Sequence, residues 1–457
     1  MARDRGGVPN RLLFTLTLGT VLNPLNSSMI AIALVSVQRE FEVSIATSTW
    51  AASGFYLAAA VGQPLMGRLA DRLGARRLFI AGLVLMGVTS ALAPLAPTFG
   101  WLLAARVAQA VATSAAFPCA HILIRAAATG PARTPPASAL ATLSVASSAS
   151  AALGPVLGGL LVAVAGWEAV FLVNVPITLV GIVLAARILP RVATNAGPRL
   201  GVRELDLPGI ALTTIALSTL IVLVLSLAEE PHWWLLPVVA AAFALLIWRE
   251  FAVDEPFMDI RGLVTNRALG VVLVQQGGIN LVFYCVFFGL PMWLEHVRGF
   301  GPEAVGLLVL PMTVLSIVVI PLTVRAIRRH GPARTLVLGV GLLFLATLAV
   351  QVLGDTTPVL VLLGIAVLLG IPNGVNHLGL QTMLYAAAPP DRAGAVAGLF
   401  QTFRYLGAIS ATSVLGVILE RDLSSRGMHH VGFVMTGVAA VLLVLTVAIT
   451  FRPRPLR

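Results

Sequence analysis

Along its whole length the chain alternates long apolar stretches with short polar links. About 20 consecutive apolar residues are enough to cross a bilayer as a helix, which satisfies its backbone within one segment. The pattern predicts fourteen such spans: 11–37, 47–67, 78–96, 100–124, 138–165, 168–189, 206–227, 232–250, 268–294, 304–324, 335–353, 358–386, 393–418 and 431–451. An even count places both termini on one side of the membrane.

Composition agrees. The sequence has 457 residues, 58% of them hydrophobic and only 11% charged. A water-soluble domain of that size needs more charge to cover its surface, so an all-α, multi-pass membrane protein is expected. Cys119 and Cys285 both fall inside apolar spans, where they read as small buried hydrophobes rather than a disulfide. The first span begins near Arg11, lacks a small-residue cleavage site and runs past the length of a signal peptide, so it is expected to be retained.

The formal charge is +11, yet its placement speaks against nucleic acid. Every basic residue is Arg, and these arginines gather in alternate links, which is a topology signal. With the N-terminus in the cytoplasm, Arg39, Arg298, Arg421 and Arg426 are external, Arg106 and Arg404 lie within spans, and the rest are internal. The external links carry acids such as Glu229, Glu230, Glu295, Glu303, Asp355, Glu420 and Asp422. Both termini are therefore expected in the cytoplasm and the protein in the cytoplasmic membrane. The tail Arg452-Pro453-Arg454-Pro455 reads as a lipid-facing basic end.

One link occurs twice. Pro64, Leu65, Arg68, Arg72, Gly74 and Arg77 recur at the same spacing as Pro321, Leu322, Arg325, Arg329, Gly331 and Arg334. The first copy follows span 2 and the second follows span 10. Six spans per half with two inserted between them gives 6 + 2 + 6. The expected units are residues 1–190, an insert at 191–267, and residues 268–457. A membrane protein with the same charged link in both halves reads as a duplicated transporter.

Gly67, Arg68, Asp71, Arg72, Gly74, Arg76 and Arg77 in the first link, and Gly154-Pro155-Val156-Leu157-Gly158-Gly159 in span 5, resemble signatures of the major facilitator superfamily. Trp167, Phe171, Asn174 and Pro176, Arg106 with Gln109, and Glu204-Leu205-Asp206-Leu207-Pro208-Gly209 extend the resemblance to its fourteen-span drug:proton antiporter branch. The resemblance covers nearly the whole chain. It implies two six-helix bundles plus two inserted helices around a cavity that opens to each face in turn. It also implies that Asp71 is a latch on the cytoplasmic side, here expected against the N-terminal end of span 13 near Ala393 and Gly394. The second copy carries Arg328 at the position of Asp71, so the latch is one-sided. From the resemblance, Gly154, Pro155, Gly158 and Gly159 favour export over import, and Arg106 is tied to proton coupling. On physical grounds alone those glycines allow close helix contact and Pro155 bends its helix.

Span 1 departs from the pattern. Asn26 stands where relatives carry an acid, and an amide has no proton to titrate, though it can still bond a substrate at the cavity wall or another helix. No carboxylate lies deep in any span. With Arg106 and Arg404 inside, the interior is positive, which suits neutral or anionic lipophilic molecules better than permanent cations. His121, in span 4, and His377, in span 12, are the titratable alternatives for coupling, and each also reads as a hydrogen-bonded core residue. Arg404 reads equally as a structural arginine bonded to helix carbonyls. Asn373, His377 and Gln381 form one polar stripe at helical spacing, and Gln275, Gln276 and Asn280, with Tyr284 one turn on, form another. Both stripes read as cavity lining or as polar seams between helices.

The expected protein is a secondary active exporter of lipophilic small molecules, driven by protons as the resemblance implies and working as a monomer in the lipid bilayer. No enzyme activity, cofactor or metal is expected. With Lys absent, the chain has no phosphate-binding Gly-rich loop of the GK[ST] type. A dedicated exporter of one endogenous metabolite and a non-transporting sensor or lipid-handling relative are the rival readings.

Overall fold

In the computed structural model, residues 8–127, 137–190, 206–226, 231–253, 266–387 and 393–451 are described. Apart from two short 3-10 turns, their secondary structure is helical. The helices are α1 (Asn10–Thr20), α2 (Leu22–Glu40), α3 (Ile45–Leu73), α4 (Ala75–Leu92), α5 (Phe99–Ser114), α6 (Ala116–Ala127), α7 (Ala137–Ala165), α8 (Ala169–Leu172) and α9 (Asn174–Ile188). After them come α10 (Leu207–Ser226), α11 (Leu235–Ala252), α12 (Arg267–His296), α13 (Pro302–Val318) and α14 (Ile320–His330). The last four are α15 (Pro332–Ala349), α16 (Val359–Ala387), α17 (Ala393–Arg421) and α18 (Ser425–Thr450).

Each expected span is helical, and four are interrupted near a proline; one of them breaks at Val173, between α8 and α9, just before Pro176. Helices α1 and α2 meet at Val21, just before Pro24; α5 and α6 meet at Ala115, just before Pro118; α13 and α14 meet at Val319, just before Pro321. Proline removes one backbone donor and crowds the preceding turn, which breaks or bends the helix there. Several starts are capped by side chains. Ser44 accepts from the Thr47 amide at 3.1 Å to open α3, and Asn266 accepts from the Leu269 amide at 3.2 Å to open α12.

Among the described residues, twelve helical segments are long and apolar enough to cross a membrane, not the fourteen expected. Two of the fourteen fall short. Helix α3 is long, but Thr47, Ser48, Thr49, Ser53 and Gln63 dilute its apolar character. In α10 the apolar stretch, Pro208–Leu223, is short.

The duplicated link takes the same form twice. Helix α3 stops at Gly74 (φ 92°) and α14 stops at Gly331 (φ 81°), and a new helix starts at the next residue. That left-handed region suits glycine and strains other residues. The two corners lie on one face of the protein. Helices α2 and α7 run parallel, as Val21 meets Ser150 and Met29 meets Gly158; α7 and α13 run antiparallel, as Pro155 meets Gly306 and Gly159 meets Pro302. Helix α13 therefore points the same way as α3, which returns antiparallel to α2 after a short turn.

Helices α1–α9 pack with one another, and so do α12–α18. The two sets meet chiefly along two seams, α3 against α17 and α7 against α13, with a smaller contact between α2 and α12. In the second seam, a Cβ on Gly306 would lie 2.7 Å from the Pro155 carbonyl oxygen, and one on Gly159 would strike that of Pro302. The backbones are therefore nearly in contact. Helices α10 and α11 form a hairpin with a small apolar core of Ala216, Ala242 and Leu246. Asp206 clamps it, accepting from the Gly209 amide at 3.1 Å and pairing with the Arg249 guanidinium at 2.7 Å.

Candidate functional site

Two arginines lie inside the helical body, in unlike settings. Arg106, on α5, is fully buried. Its Nη1 donates to Asn26 Oδ1 at 2.8 Å and to Gln109 Oε1 at 3.2 Å, and its Nε donates to the Ala51 carbonyl at 3.0 Å. The guanidinium sits over the Phe55 ring, 4.4 Å from its centroid, a cation–π contact. Gln109 extends the network by donating to Ser90 Oγ at 3.0 Å, and Asn26 donates back to Gln109 Oε1 at 3.2 Å. All the acceptors are neutral. Asn26, expected at a cavity wall, is thus fully buried and spent on Arg106. The one-turn spacing of Arg106 and Gln109 does bring them together, as their sequence separation implies.

Hydrogen bonds recur along the seam between α3 and α17, set among apolar side chains. From one end, the Ala46 amide donates to Glu420 Oε2 at 2.8 Å, and Ser53 Oγ meets Thr412 Oγ1 at 2.6 Å. Beyond them, Thr402 donates to the Ala60 carbonyl at 3.4 Å, and Gln63 Nε2 donates to the Tyr405 hydroxyl at 2.8 Å. The first two contacts close the seam at its Glu420 end, on the side away from Gly74.

Deep in this seam lies an aromatic cluster. Tyr56 of α3 stacks on Tyr405 of α17 at 5.8 Å and 28°, and Tyr284 stacks on Phe288 within α12 at 5.8 Å and 19°. Tyr56 also lies 5.2 Å from Tyr284, and Phe283 stacks on Phe287 at 5.4 Å. Three of the chain's four tyrosines meet here. Arg404 of α17 joins them, with Nη2 3.4 Å from the Tyr284 hydroxyl. It remains half-buried. His377 of α16 is exposed, its ring 6.5 Å from Phe400 and within electrostatic reach of Arg404.

The other predicted residues fall as follows. Asn373 lines a small apolar pocket with Phe283, Met312 and Leu369, and Gln381 is half-buried one turn beyond His377. Gln275, Gln276 and Asn280 are buried. Gln275 donates to Thr446 on α18 at 2.8 Å, and Asn280 donates to the Gln276 carbonyl at 2.8 Å. His121 bonds the Phe117 carbonyl of its own helix at 3.0 Å. Gly154 and Gly158 press α7 on α2 at Ser28 and Met29; a Cβ on Gly158 would lie 2.9 Å from the Met29 carbonyl oxygen. Gly67 faces Pro118. Arg76 donates to the Ala186 carbonyl at 2.5 Å, while Arg325 and Arg329 are exposed. The side chains of Arg68, Asp71 and Arg72 lie outside the described residues, and with them the expected latch contact.

Sequence reasoning missed Phe55, Ser90, Tyr56, Gln63 and Tyr405. Gln63 and Ser90 carried a signal as uncharged polar residues within apolar spans, and Tyr405 as the neighbour of Arg404.

Comparison with known proteins follows the same lines. The sequence profile of the Major Facilitator Superfamily matches residues 16–412. The uncharacterized MFS-type transporter YwoD of Bacillus subtilis (strain 168) is 38% identical over 445 residues, covering 94% of this chain and 95% of that protein. The tetracenomycin C resistance and export protein of Streptomyces glaucescens is 30% identical over 428 residues, covering 90% and 76%. Among solved structures, a bacterial homologue of the human lysosomal transporter Spinster, inward-facing and unoccupied, superposes with a TM-score of 0.67 at 16% identity, covering 98% of this chain and 99% of that one.

Proposed function

The chain belongs to the Major Facilitator Superfamily, and from that premise we propose that it is a secondary active exporter of lipophilic, drug-like small molecules, neutral or anionic, working by alternating access. The moving units are residues 1–190 and 268–457, with 191–267 as the insert. The chain crosses the cytoplasmic membrane fourteen times as a monomer, with both termini in the cytoplasm, and exchanges its substrate for protons.

One observation carries this reading. The junction between the two helix sets is walled by aromatic rings and holds an accessible guanidinium, that of Arg404. Apolar walls with a few convergent polar groups are the usual make-up of a small-molecule site. The contacts across this junction combine hydrogen bonds and glycine packings with the packed rings of Tyr56, Tyr284 and Tyr405. The name of the tetracenomycin C relative supports the export direction. Helix α3 supports the fourteen-crossing count: its polar residues Ser53 and Gln63 face α17 rather than lipid.

Among the coupling candidates, His377 is favoured over His121, because its ring is exposed whereas His121 is tied to its own helix. Asn26, a neutral partner for Arg106, favours a second reading in which an endogenous metabolite leaves with unusual or no proton coupling.

The test uses purified protein in proteoliposomes, a panel of lipophilic compounds and an imposed proton gradient directed against the substrate. Substrate flux that rises with the gradient, and loses that response in His377→Ala, supports the reading. Flux indifferent to the gradient removes antiport, and no flux of any compound removes the exporter.

A further inference from the structure

The arrangement around Arg404 narrows the substrate class, an inference that rests on the exporter reading. A guanidinium has five N–H donors. Arg404 makes one long contact, 3.4 Å to the Tyr284 hydroxyl, although it sits where α3, α12, α16 and α17 converge. Arg106, by comparison, makes three bonds at 2.8–3.2 Å. Arg404 therefore keeps donors available, and it keeps accessible surface, as does His377 nearby. The Tyr405 hydroxyl accepts from Gln63 and still has its own proton to donate.

The walls are ring faces. Phe283 is half-buried beside the fully packed Tyr284 and lies on the pocket that Asn373 also lines. Rings stack at centroid distances of about 4.5–7 Å, so an aromatic ligand can take the place of one partner in such a cluster. A planar oxyanion accepts two parallel N–H bonds from a guanidinium, whereas a cation placed there meets like charge.

The geometry points to a binding site for a planar aromatic anion, its acidic group on Arg404 and its ring against the half-buried Phe283. His377 and the Tyr405 hydroxyl flank the acidic group. Arg404 supplies charge selectivity and the rings supply most of the affinity.

The experiment uses the full-length purified protein and three probes that share one ring system: 2-naphthalenesulfonate, 2-naphthalenesulfonamide and 2-naphthylmethylammonium. Binding is measured by titration calorimetry, and efflux of the sulfonate is followed from loaded proteoliposomes. The sulfonate is expected to bind at least tenfold more tightly than the sulfonamide, with the ammonium weakest. Arg404→Gln is expected to erase that preference while leaving sulfonamide affinity within twofold, and Arg404→Lys to restore part of it. Equal affinity for the three probes on the wild-type protein overturns the site without any variant. So does an unchanged preference in Arg404→Gln, or a loss there that is equal for sulfonate and sulfonamide. Sulfonate binding without efflux sinks the exporter reading and leaves the site standing. Efflux of lipophilic compounds with no preference for the anion does the reverse.

Discussion

Arg106 and Arg404 are the same side chain put to opposite uses. Arg106 is sealed in the first helix set, with acceptors from α2, α3 and its own helix and a ring beneath it. Arg404 stands at the junction of the two sets, accessible and thinly bonded. A charge in a membrane interior is costly and is retained where it faces protein, a cavity or a partner. Arg106 meets part of that cost through three hydrogen bonds from Nε and Nη1 and a ring face, with Nη2 left buried without a partner, and it pins three helices together. Arg404 meets it through access to the junction, which leaves its donors for another molecule.

The contrast can be broken from either side, and thermal unfolding in detergent orders the effects. Arg106→Ala strands Asn26 Oδ1 and takes one donor each from Gln109 Oε1 and the Ala51 carbonyl, and we expect the largest loss, about 3 kcal/mol after relief of the buried charge. Asn26→Asp turns the 2.8 Å contact into an ion pair and is expected to raise stability by about 2 kcal/mol. A lower melting temperature in that variant contradicts the view that Arg106 is an uncompensated cation. Phe55→Leu removes the ring under the guanidinium while keeping an apolar side chain, for a loss of about 1 kcal/mol. Arg404→Gln is expected to change stability least, by about 0.5 kcal/mol or less, despite its effect on anion binding. A collapse of folded yield in Arg404→Gln comparable to that of Arg106→Ala would erase the distinction.

Much of this architecture is legible in the sequence because it is local. Helix positions follow apolar stretches, and the repeat of Gly74 at Gly331 is read directly and returns as two left-handed corners. The spacing of Gly154, Gly158 and Gly159 announces close helix contact without naming the partners. Those partners, Ser28, Met29 and Pro302, come from distant segments. The same limit governs the site. Periodicity places Arg106 and Gln109 on one face, but Asn26 is 80 residues from Arg106, and nothing along the chain couples them. A tyrosine in an apolar span reads alike whether it faces lipid or a neighbour, so Tyr56 went unmarked until its ring was seen stacked on that of Tyr405. The count of crossings is least legible at α3, where the residues that serve the seam also lower its apolar character.

The α10–α11 hairpin has a mechanical consequence. Helix α10 touches both α3 and α17, one from each flank of their seam, while α11 rests chiefly on α10. It straddles the joint like a splint. If α3 tilts away from α17, α10 must slip along one of them or travel with the other. With Asp206 and Arg249 tying its end to α11, the pair moves as a unit. Friction at a single apolar contact then helps to set how fast the joint can swing.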